Sequence, residues 1–307
     1  MPTLSIIVNG TTTVLGNAGV PLLLDTDGNA RATIWLEAHD GLGMAPSRRL
    51  SERGPMQHGE TDRGYRYDPR VLSLIFGISG QSMADYWDAR DALYRLFRPR
   101  DTALSVRLDL ENGAARQIDG HLVGGLLGSS KDRRGFTLKL AATVRCPKPF
   151  WYDPTPVFET FGASGASGGM AIPWKIPWAI GASNINQTRP ILYTGSFQAE
   201  PIIQIVGPIS NPVITNLVSG DTLDFTGTTI AGGTVYTIDC RYNYKTVVDQ
   251  NGANQIAKLV SGSDLATFAL LPDPDAPGGV NSIAIAGTSI TAATNVYLTY
   301  SRQYVGI

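Results

Sequence analysis

Only one stretch of this 307-residue chain has the pattern of a long helix, and the rest is interrupted at strand length. Ser82 is a suitable N-cap, Asp85 places a negative charge in the first turn, and Pro99 ends the segment. Large side chains recur there at spacings of three and four residues and form one broad aromatic face, at Met83, Tyr86, Trp87, Arg90, Leu93, Tyr94 and Phe97. We therefore expect a mostly β protein with a single packed α-helix in its N-terminal half.

Short strand patterns fill the rest of the N-terminal half. Residues 5–8 and 11–15 flank Asn9-Gly10, which is a strong hairpin signal. The remaining strand candidates are residues 32–38, 71–78, 104–110, 117–123 and 136–144. Residues 46–70 are poor in apolar side chains and carry six arginines, so we expect a long loop there.

The C-terminal half is expected to be an antiparallel β-sandwich. It has no helical pattern longer than a turn, and turn signals such as Gly232-Gly233 and Asn251-Gly252 separate its short strand candidates. These candidates are residues 201–206, 223–225, 235–240, 245–248, 282–285 and 296–300. The predicted fold class is thus two antiparallel β-sandwich domains, the first with one packed helix.

Charge density indicates where the two domains meet. Residues 1–153 hold 19 of the 25 Lys and Arg and 17 of the 26 Asp and Glu. Residues 148–156 contain three prolines, and residues 162–169 are almost entirely Gly, Ala and Ser, a linker-like composition. We place the boundary near residue 155, which gives domains 1–155 and 156–307, the second beginning with a connector over 156–200.

Composition excludes several classes of protein. A formal net charge of −1 removes the general electrostatic argument for binding nucleic acid or anionic membranes. Two cysteines, Cys146 and Cys240, cannot form a disulfide framework or a four-cysteine zinc site. No apolar run reaches the length of a membrane span, and the residues after Met1 do not resemble a signal peptide. We expect no membrane insertion and no secretion by a signal peptide.

The sequence contains no motif for catalysis, metal binding or cofactor binding that has the flanking elements and residue spacing such a site requires. Residues 165–169 match the G-x-S-x-G pattern of hydrolases, but they lie in the Gly/Ser-rich segment rather than between a strand and a helix. A calcium loop that began at Asp25 would need glycine at its sixth position and glutamate at its twelfth, where Ala30 and Leu36 stand, so Asp27-Gly28 is better read as a hairpin turn. His39, His58 and His121 share no metal-ligand spacing, and no phosphate-binding loop occurs. We expect no catalytic residues, no bound metal and no cofactor.

The arginine-rich segment is the strongest candidate surface. It carries Arg48, Arg49, Arg53, Arg63 and Arg66, with Tyr65 and Tyr67 interleaved. Arginines and tyrosines can bind phosphates and stack on bases, but Glu52, Glu60, Asp62 and Asp68 nearly balance the charge. We favour a solvated or subunit-bridging ion-paired loop.

Two tryptophans in a proline-rich stretch leave two interpretations open. Trp174 and Trp178 lie in the sequence Ile-Pro-Trp-Lys-Ile-Pro-Trp at residues 172–178. They are either a platform on which sugars stack or anchors that hold the connector on the sandwich, and we favour the anchors.

The order of these features resembles the distal tail protein family of long-tailed bacteriophages, a component of the baseplate hub. In the N-terminal half the resemblance rests on the strand 71–78, the aromatic helix 85–97, the turn Arg98-Pro99 and the closing segment 149–153. In the C-terminal half it rests on residues 199–208, 211–216, 233–239, 248–252, the block around Asn281, and 296–300. It covers nearly the whole chain in the family's order.

The resemblance implies a tail-tube-like N-terminal domain that forms a hexameric ring, and a galectin-like or carbohydrate-module-like C-terminal domain. The ring would join the tail-tube protein to the tail-tip protein, leave a channel through which DNA passes, and carry receptor-binding proteins that reach a host surface glycan. It implies a structural virion protein made in the host cytoplasm rather than an enzyme. We expect the helix to bury Tyr86, Leu93 and Phe97 on its own sheet, and strands of this domain to extend their pairing to neighbouring subunits.

Two other functions remain as alternatives. A carbohydrate-binding adhesin or module would act through the C-terminal sandwich and would exist as a monomer. A glycan-cleaving enzyme would need two carboxylates across a cleft, and nothing in the sequence singles out such a pair.

Overall fold

The computed structural model describes residues 3–16, 19–128, 131, 133–162 and 184–307. Its chain divides into two compact units, the first made of Met1–Pro154 together with Tyr304–Ile307 and the second of Thr155–Gln303. The last four residues, which the sequence assigned to the second domain, therefore lie in the first unit. The described residues are mostly β-strand, with one α-helix among them, so the predicted fold class is confirmed.

The first unit is built on one long antiparallel sheet. The elements of this unit are β1 Thr3–Val8, β2 Thr11–Leu15, β3 Val20–Leu24, β4 Ala30–Asp40, β5 Ser47–Glu52, β6 Thr61–Tyr67, β7 Arg70–Gly80, α1 Met83–Leu96, β8 Leu104–Asp109, β9 Ala115–Leu127, β10 Arg133–Arg134, β11 Thr137–Cys146 and β12 Trp151–Tyr152. Eight strands follow one another in the order β2-β1-β8-β9-β11-β7-β4-β3. Because β2 also contacts β3 and β4, the sheet curls towards a closed barrel.

Alternation of side chains fills the core of this unit. Along β7, Leu72, Leu74, Phe76 and Ile78 are completely buried, while the residues between them point to the other face. The turn between β3 and β4 forms at Asp27-Gly28 as predicted, since Gly28 has a φ of 84° and the Gly28 amide donates to the Asp25 carbonyl.

Helix α1 begins and packs as its sequence indicates. The Ser82 hydroxyl accepts from the Asp85 amide at 3.2 Å, which caps the helix. Tyr86, Leu93 and Phe97 are buried, and Phe97 stacks on Phe76 of the sheet with ring centroids 5.4 Å apart. The expected burial of these three residues is confirmed. The aromatic face is divided, however, because Trp87 and Tyr94 are largely exposed.

Residues 46–70 are a β-hairpin and not the expected loop. Strands β5 and β6 pair in antiparallel fashion and form a separate two-stranded sheet in the described structure. Both strands are polar on both faces, so hydrophobic alternation gave no strand signal. Oppositely charged side chains across the pair stabilise it instead, for example Arg49 with Asp62 and Arg63 with Glu52.

The second unit consists of two sheets that share one core. Its strands are β13 Val157–Gly162, β14 Asn184–Leu192, β15 Ile202–Val206, β16 Ile209–Asn216, β17 Thr222–Asp224, β18 Thr229–Ile230, β19 Val235–Asp239, β20 Thr246–Asp249, β21 Val280–Thr288 and β22 Asn295–Tyr300, and β23 Gln303–Tyr304 follows where the first unit resumes. One sheet has the order β13-β22-β15-β19-β20, and the other has β14-β21-β16-β17 with β18 also on β16. Buried residues of both sheets, such as Ile203, Leu298, Ile214 and Ile285, form a single hydrophobic cluster.

Candidate assembly surfaces

The hairpin, defined here as residues 47–67, neutralises most of its own arginines. Arg49 pairs with Asp62 at 2.8 Å and Arg63 pairs with Glu52 at 2.7 Å. Arg48 and Arg66 both approach Asp68, at 3.3 and 3.6 Å. These side chains are exposed, so each pair contributes little to stability, up to about 1 kcal/mol. Their effect is to leave a polar hairpin whose surface has little uncompensated positive charge.

The tip of the hairpin, residues 53–60, is ordered and presents an apolar side chain to solvent. The Gly54 amide donates to Gln57 Oε1 at 2.9 Å, and Arg53 Nε donates to the Gln57 carbonyl at 3.3 Å. Met56 is 98% exposed and has a φ of 61°, a left-handed conformation that side chains such as methionine seldom adopt. Among the described residues, neither Arg53 nor Glu60 has a partner of opposite charge.

The base of the hairpin is anchored by aromatic packing. Tyr67 packs edge-on against Phe150 with centroids 5.2 Å apart, and Tyr65 packs against Tyr67 at 5.6 Å. The Asp68 amide donates to the Pro46 carbonyl at 2.8 Å. The hairpin is therefore fixed at its base, while its strands and tip remain exposed.

Arg70, the sixth arginine of the segment, is a buried residue of β7 and is not part of the exposed surface. Its guanidinium donates to the carbonyls of Gly41 at 2.6 Å, Gly43 at 2.5 Å, Pro149 at 2.9 Å and Val305 at 2.6 Å. No carboxylate pairs with it in the described part of the chain. Burial lowers the pKa of this guanidinium. Arg70 thus holds together three segments that are far apart in the sequence.

The C-terminal residues of the chain are fastened to the first unit at several points. Arg116 lies over the Tyr304 ring, 3.6 Å from its centroid, and forms an ion pair with Asp153. The Val305 carbonyl accepts from Arg70 and also from the Ala45 amide, at 2.9 Å. These contacts make residues 304–307 a structural part of the first unit.

The solvent side of α1 is a second exposed surface. Trp87 and Tyr94 are 45% and 40% exposed, and Arg90 lies between their rings at 5.0 and 5.1 Å from the two centroids. Arg90 Nε also donates to the Tyr94 hydroxyl at 2.7 Å. Aromatic residues and arginine are the types most enriched at protein interfaces.

A cleft lies between α1 and the neighbouring strand β3. It has a volume of about 220 Å³ and is lined by the apolar side chains of Leu23, Leu24 and Ala92 and by the charged groups of Asp91 and Arg95, among others. Leu24 is 57% exposed at its rim. Neither Asp91 nor Arg95 has an ion-pair partner within the described ranges.

Several predicted features lie elsewhere or have structural roles. Trp174, Trp178 and the G-x-S-x-G pattern fall outside the described residues. Cys146 and Cys240 are completely buried, and burial raises the pKa of each thiol to about 12. In the part of the chain that the structure describes, no group of three His, Cys, Asp or Glu residues could hold a metal ion. None of its helices is long and apolar enough to cross a membrane.

The two internal anchors, Arg70 and the contact of Tyr304 with Arg116 and Asp153, were not predicted from the sequence. Arg70 was grouped with the arginines of the hairpin, although its position directly before the apolar run at residues 71–78 could have indicated a strand residue. The contact of Tyr304 with Arg116 and Asp153 has no local signal, because these residues lie 188 and 151 positions away from it.

Comparison with known proteins identifies the fold. Residues 43–114, which include the hairpin, β7 and α1, match the family model of the phage tail protein RIFT-related domain. No curated protein matches the sequence. The crystal structure of the Dit (gp 19.1) protein of phage SPP1, described as a paradigm of the hub adsorption apparatus in phages that infect Gram-positive bacteria, superposes with a TM-score of 0.63 at 15% identity, covering 98% of both chains.

A component of the phage P2 baseplate in its activated conformation with Ca covers 100% of both chains at 10% identity and a TM-score of 0.49. At 15% identity the SPP1 likeness concerns the fold, and it extends over both units. This chain combines a phage tail protein domain with the fold of a distal tail hub protein, which confirms the resemblance to the distal tail protein family of long-tailed bacteriophages.

Proposed function

We propose that this protein is a structural component of the distal tail, or baseplate hub, of a long-tailed phage and that its first unit forms a hexameric ring. The observation that carries the proposal is the phage tail domain at residues 43–114 within a chain that has the Dit fold over its whole length. The ring would join the tail tube to the tail tip and keep a central channel open for DNA. The second unit would carry the partners that attach to the host.

The exposed surfaces of the first unit support ring formation. A ring closes through repeated head-to-tail contacts, so each subunit needs two different surfaces that fit each other. A two-stranded hairpin with no third strand is only marginally stable in water, and here β5 and β6 pair with each other alone among the described strands. Contact with a neighbouring subunit would stabilise it. We assign Arg48, Arg49, Arg53, Arg63 and Arg66 to that contact or to the channel wall.

The distribution of charge is compatible with a channel for DNA. A lumen lined with unpaired Lys and Arg would retain the passing duplex through phosphate contacts. The formal net charge is −1, and four of the five hairpin arginines face carboxylates of the same hairpin or its base. A surface of this kind can line a passage without binding its cargo tightly.

The proposal is tested by light scattering and negative-stain imaging of the purified full chain. We expect a mass of six subunits and six-fold rings with an open centre. A chain that stays monomeric at high concentration and binds glycans in a screen would favour the carbohydrate-binding alternative instead.

The contribution of the hairpin is tested separately by reversing the charges of Arg48 and Arg49. We expect the double variant Arg48→Glu/Arg49→Glu to form fewer rings, because the ion pairs of these residues with Asp68 and Asp62 are replaced by repulsion. The matched control is Arg145→Glu, which reverses an exposed charge on β11. If the double variant formed rings of normal stability with an open channel, the assignment of these residues would be wrong.

A further inference from the structure

We infer that the hairpin tip of one subunit docks in the cleft between β3 and α1 of the next subunit in the ring. This inference rests on the proposed ring and specifies its head-to-tail contact: the donor surface is residues 53–60, and the acceptor surface is formed by Leu23, Leu24, Ala92, Asp91 and Arg95. The occupant of the cleft is therefore a second copy of this chain.

The tip is shaped for a partner that the isolated chain does not supply. Met56 exposes 98% of its surface, so its side chain packs against nothing in its own subunit. Its backbone is nevertheless held at a φ of 61°, in a loop fixed by hydrogen bonds of Gln57 to Gly54 and Thr61. An exposed apolar side chain in a strained, ordered loop does not stabilise its own subunit, and it lowers the free energy only when another surface covers it.

The cleft has room for this side chain, and three of the seven residues that line it, Leu23, Leu24 and Ala92, are apolar. Its volume is about 220 Å³, whereas an apolar cavity of about 150 Å³ already accommodates benzene. Leu24, 57% exposed at the rim, and Ala92 would contact the methionine. Methionine suits such a site because its flexible thioether adapts to irregular apolar spaces.

The charges on the two surfaces are complementary in pairs. At the tip, Arg53 and Glu60 flank the loop, and neither has an ion-pair partner among the described residues. In the cleft, Asp91 and Arg95 lie one helical turn apart and likewise have none in the described structure. Docking would place Arg53 against Asp91 and Glu60 against Arg95 on either side of the buried methionine. Other carboxylates at both surfaces are already engaged, as Asp88 is by Arg31 at 3.0 Å.

The reach of the hairpin is sufficient for a contact between subunits. Strand β5 has six residues, and at about 3.4 Å per residue it carries the tip about 20 Å beyond the base. The base is fixed by Tyr67 on Phe150, so the projection is rigid where it leaves the subunit.

Disulfide cross-linking of the full chain tests the docking directly. In the double variant Met56→Cys/Leu24→Cys, oxidation should link the tip of each subunit to the cleft of the next and give a ladder of covalent species up to the hexamer, which reductant removes. Each single variant is the control and should give no ladder. The native Cys146 and Cys240 are completely buried and do not interfere.

Charge exchange provides the second measurement. Arg53→Asp and Asp91→Arg should each raise the subunit concentration needed for half-assembly at least about ten-fold, and the combined variant should recover most of this loss. Arg134→Asp, the reversal of an exposed charge on β10 that does not line the cleft, is the matched control and should have no effect.

The outcomes separate this inference from the proposed function. Rings of the double-cysteine variant that yield no intersubunit disulfide would overturn the docking and leave the ring intact. A wild-type chain that never forms rings would overturn both.

Discussion

Replacing the buried Arg70 by methionine should destabilise the first unit more than any single substitution on its exposed surface. The substitution keeps a long side chain in the same space but removes every donor. The Val305 carbonyl stays paired with the Ala45 amide, whereas the carbonyls of Gly41, Gly43 and Pro149 lose the guanidinium.

The magnitude follows from these three acceptors. A buried polar group left without a partner costs about 1–3 kcal/mol, and because the Gly41 and Gly43 carbonyls are only partly buried, the three together cost well under about 9 kcal/mol. In the wild-type protein, however, burial of a guanidinium that has no carboxylate partner among the described residues costs free energy. The variant does not have this cost. We therefore expect Arg70→Met to lower the free energy of unfolding of the first unit by about 4 kcal/mol. This is a large part of the roughly 5–15 kcal/mol that stabilises a typical domain.

Urea unfolding followed by tryptophan fluorescence measures this loss. Trp151 is fully buried and lies 5.8 Å from the Arg70 guanidinium, so its emission reports on the first unit. With a slope of about 2 kcal/mol/M, a loss of about 4 kcal/mol moves the midpoint of that transition by about 2 M.

The control is Arg145→Met, on the exposed face of the adjacent strand β11. Exposed substitutions of this kind change stability by less than about 0.5 kcal/mol. If the midpoint of Arg70→Met lay as close to wild type as that of the control, the assignment of Arg70 as the central anchor would be wrong.

Three further predictions concern other parts of the chain. Deletion of residues 304–307 should lower the urea midpoint of the first unit but leave that of the second unchanged, because the contacts of Tyr304 and Val305 lie in the first. The hydrogen bond from Ser82 and the Arg31 guanidinium lower the pKa of Asp85. The ionised Asp85 therefore stabilises the folded state above the unfolded pKa near 3.8, and this stabilisation is lost as the pH falls through the lower folded pKa. Asp85→Asn should remove this part of the acid sensitivity, so that the urea midpoints at about pH 7 and about pH 3 differ less than in the wild type. Burial raises the pKa of the Cys146 and Cys240 thiols to about 12. A thiol reagent at about pH 8 should therefore label neither cysteine in the native chain and both cysteines in denaturant. Rapid labelling of the native chain would contradict their burial.

The segments that the sequence predicted correctly are those in which the local pattern and the tertiary environment agree. Helix α1 has its cap, its first-turn acid and its apolar spacing within 18 residues, so these features could be recognised without knowledge of the partner sheet. The strand at residues 71–78 was recognised because six of its eight residues are large and apolar. The hairpin was missed because both of its faces are solvated over most of their length, so no hydrophobic alternation marks its strands.

The candidate surfaces show the same division. The sequence located the arginine-rich segment, but the structure decided which of its members are exposed, which are ion-paired and which one is buried. Arg53 lies in the tip and has no carboxylate partner among the described residues, Arg63 pairs with Glu52, and Arg70 is carried into the interior by β7. The cleft between β3 and α1 has no sequence signal, since its walls are separated by nearly 70 residues.

By itself, the sequence determined the mostly β fold class, the position of the one long helix and the sharp change in charge density near residue 155, because these depend on periodicity, capping and composition. Only the tertiary structure decided that the last four residues return to the first unit and that one guanidinium joins residues 41–43, 149 and 305. The physical reason is that such contacts depend on which distant segments the folded backbone brings within hydrogen-bonding distance, and no local pattern encodes that distance.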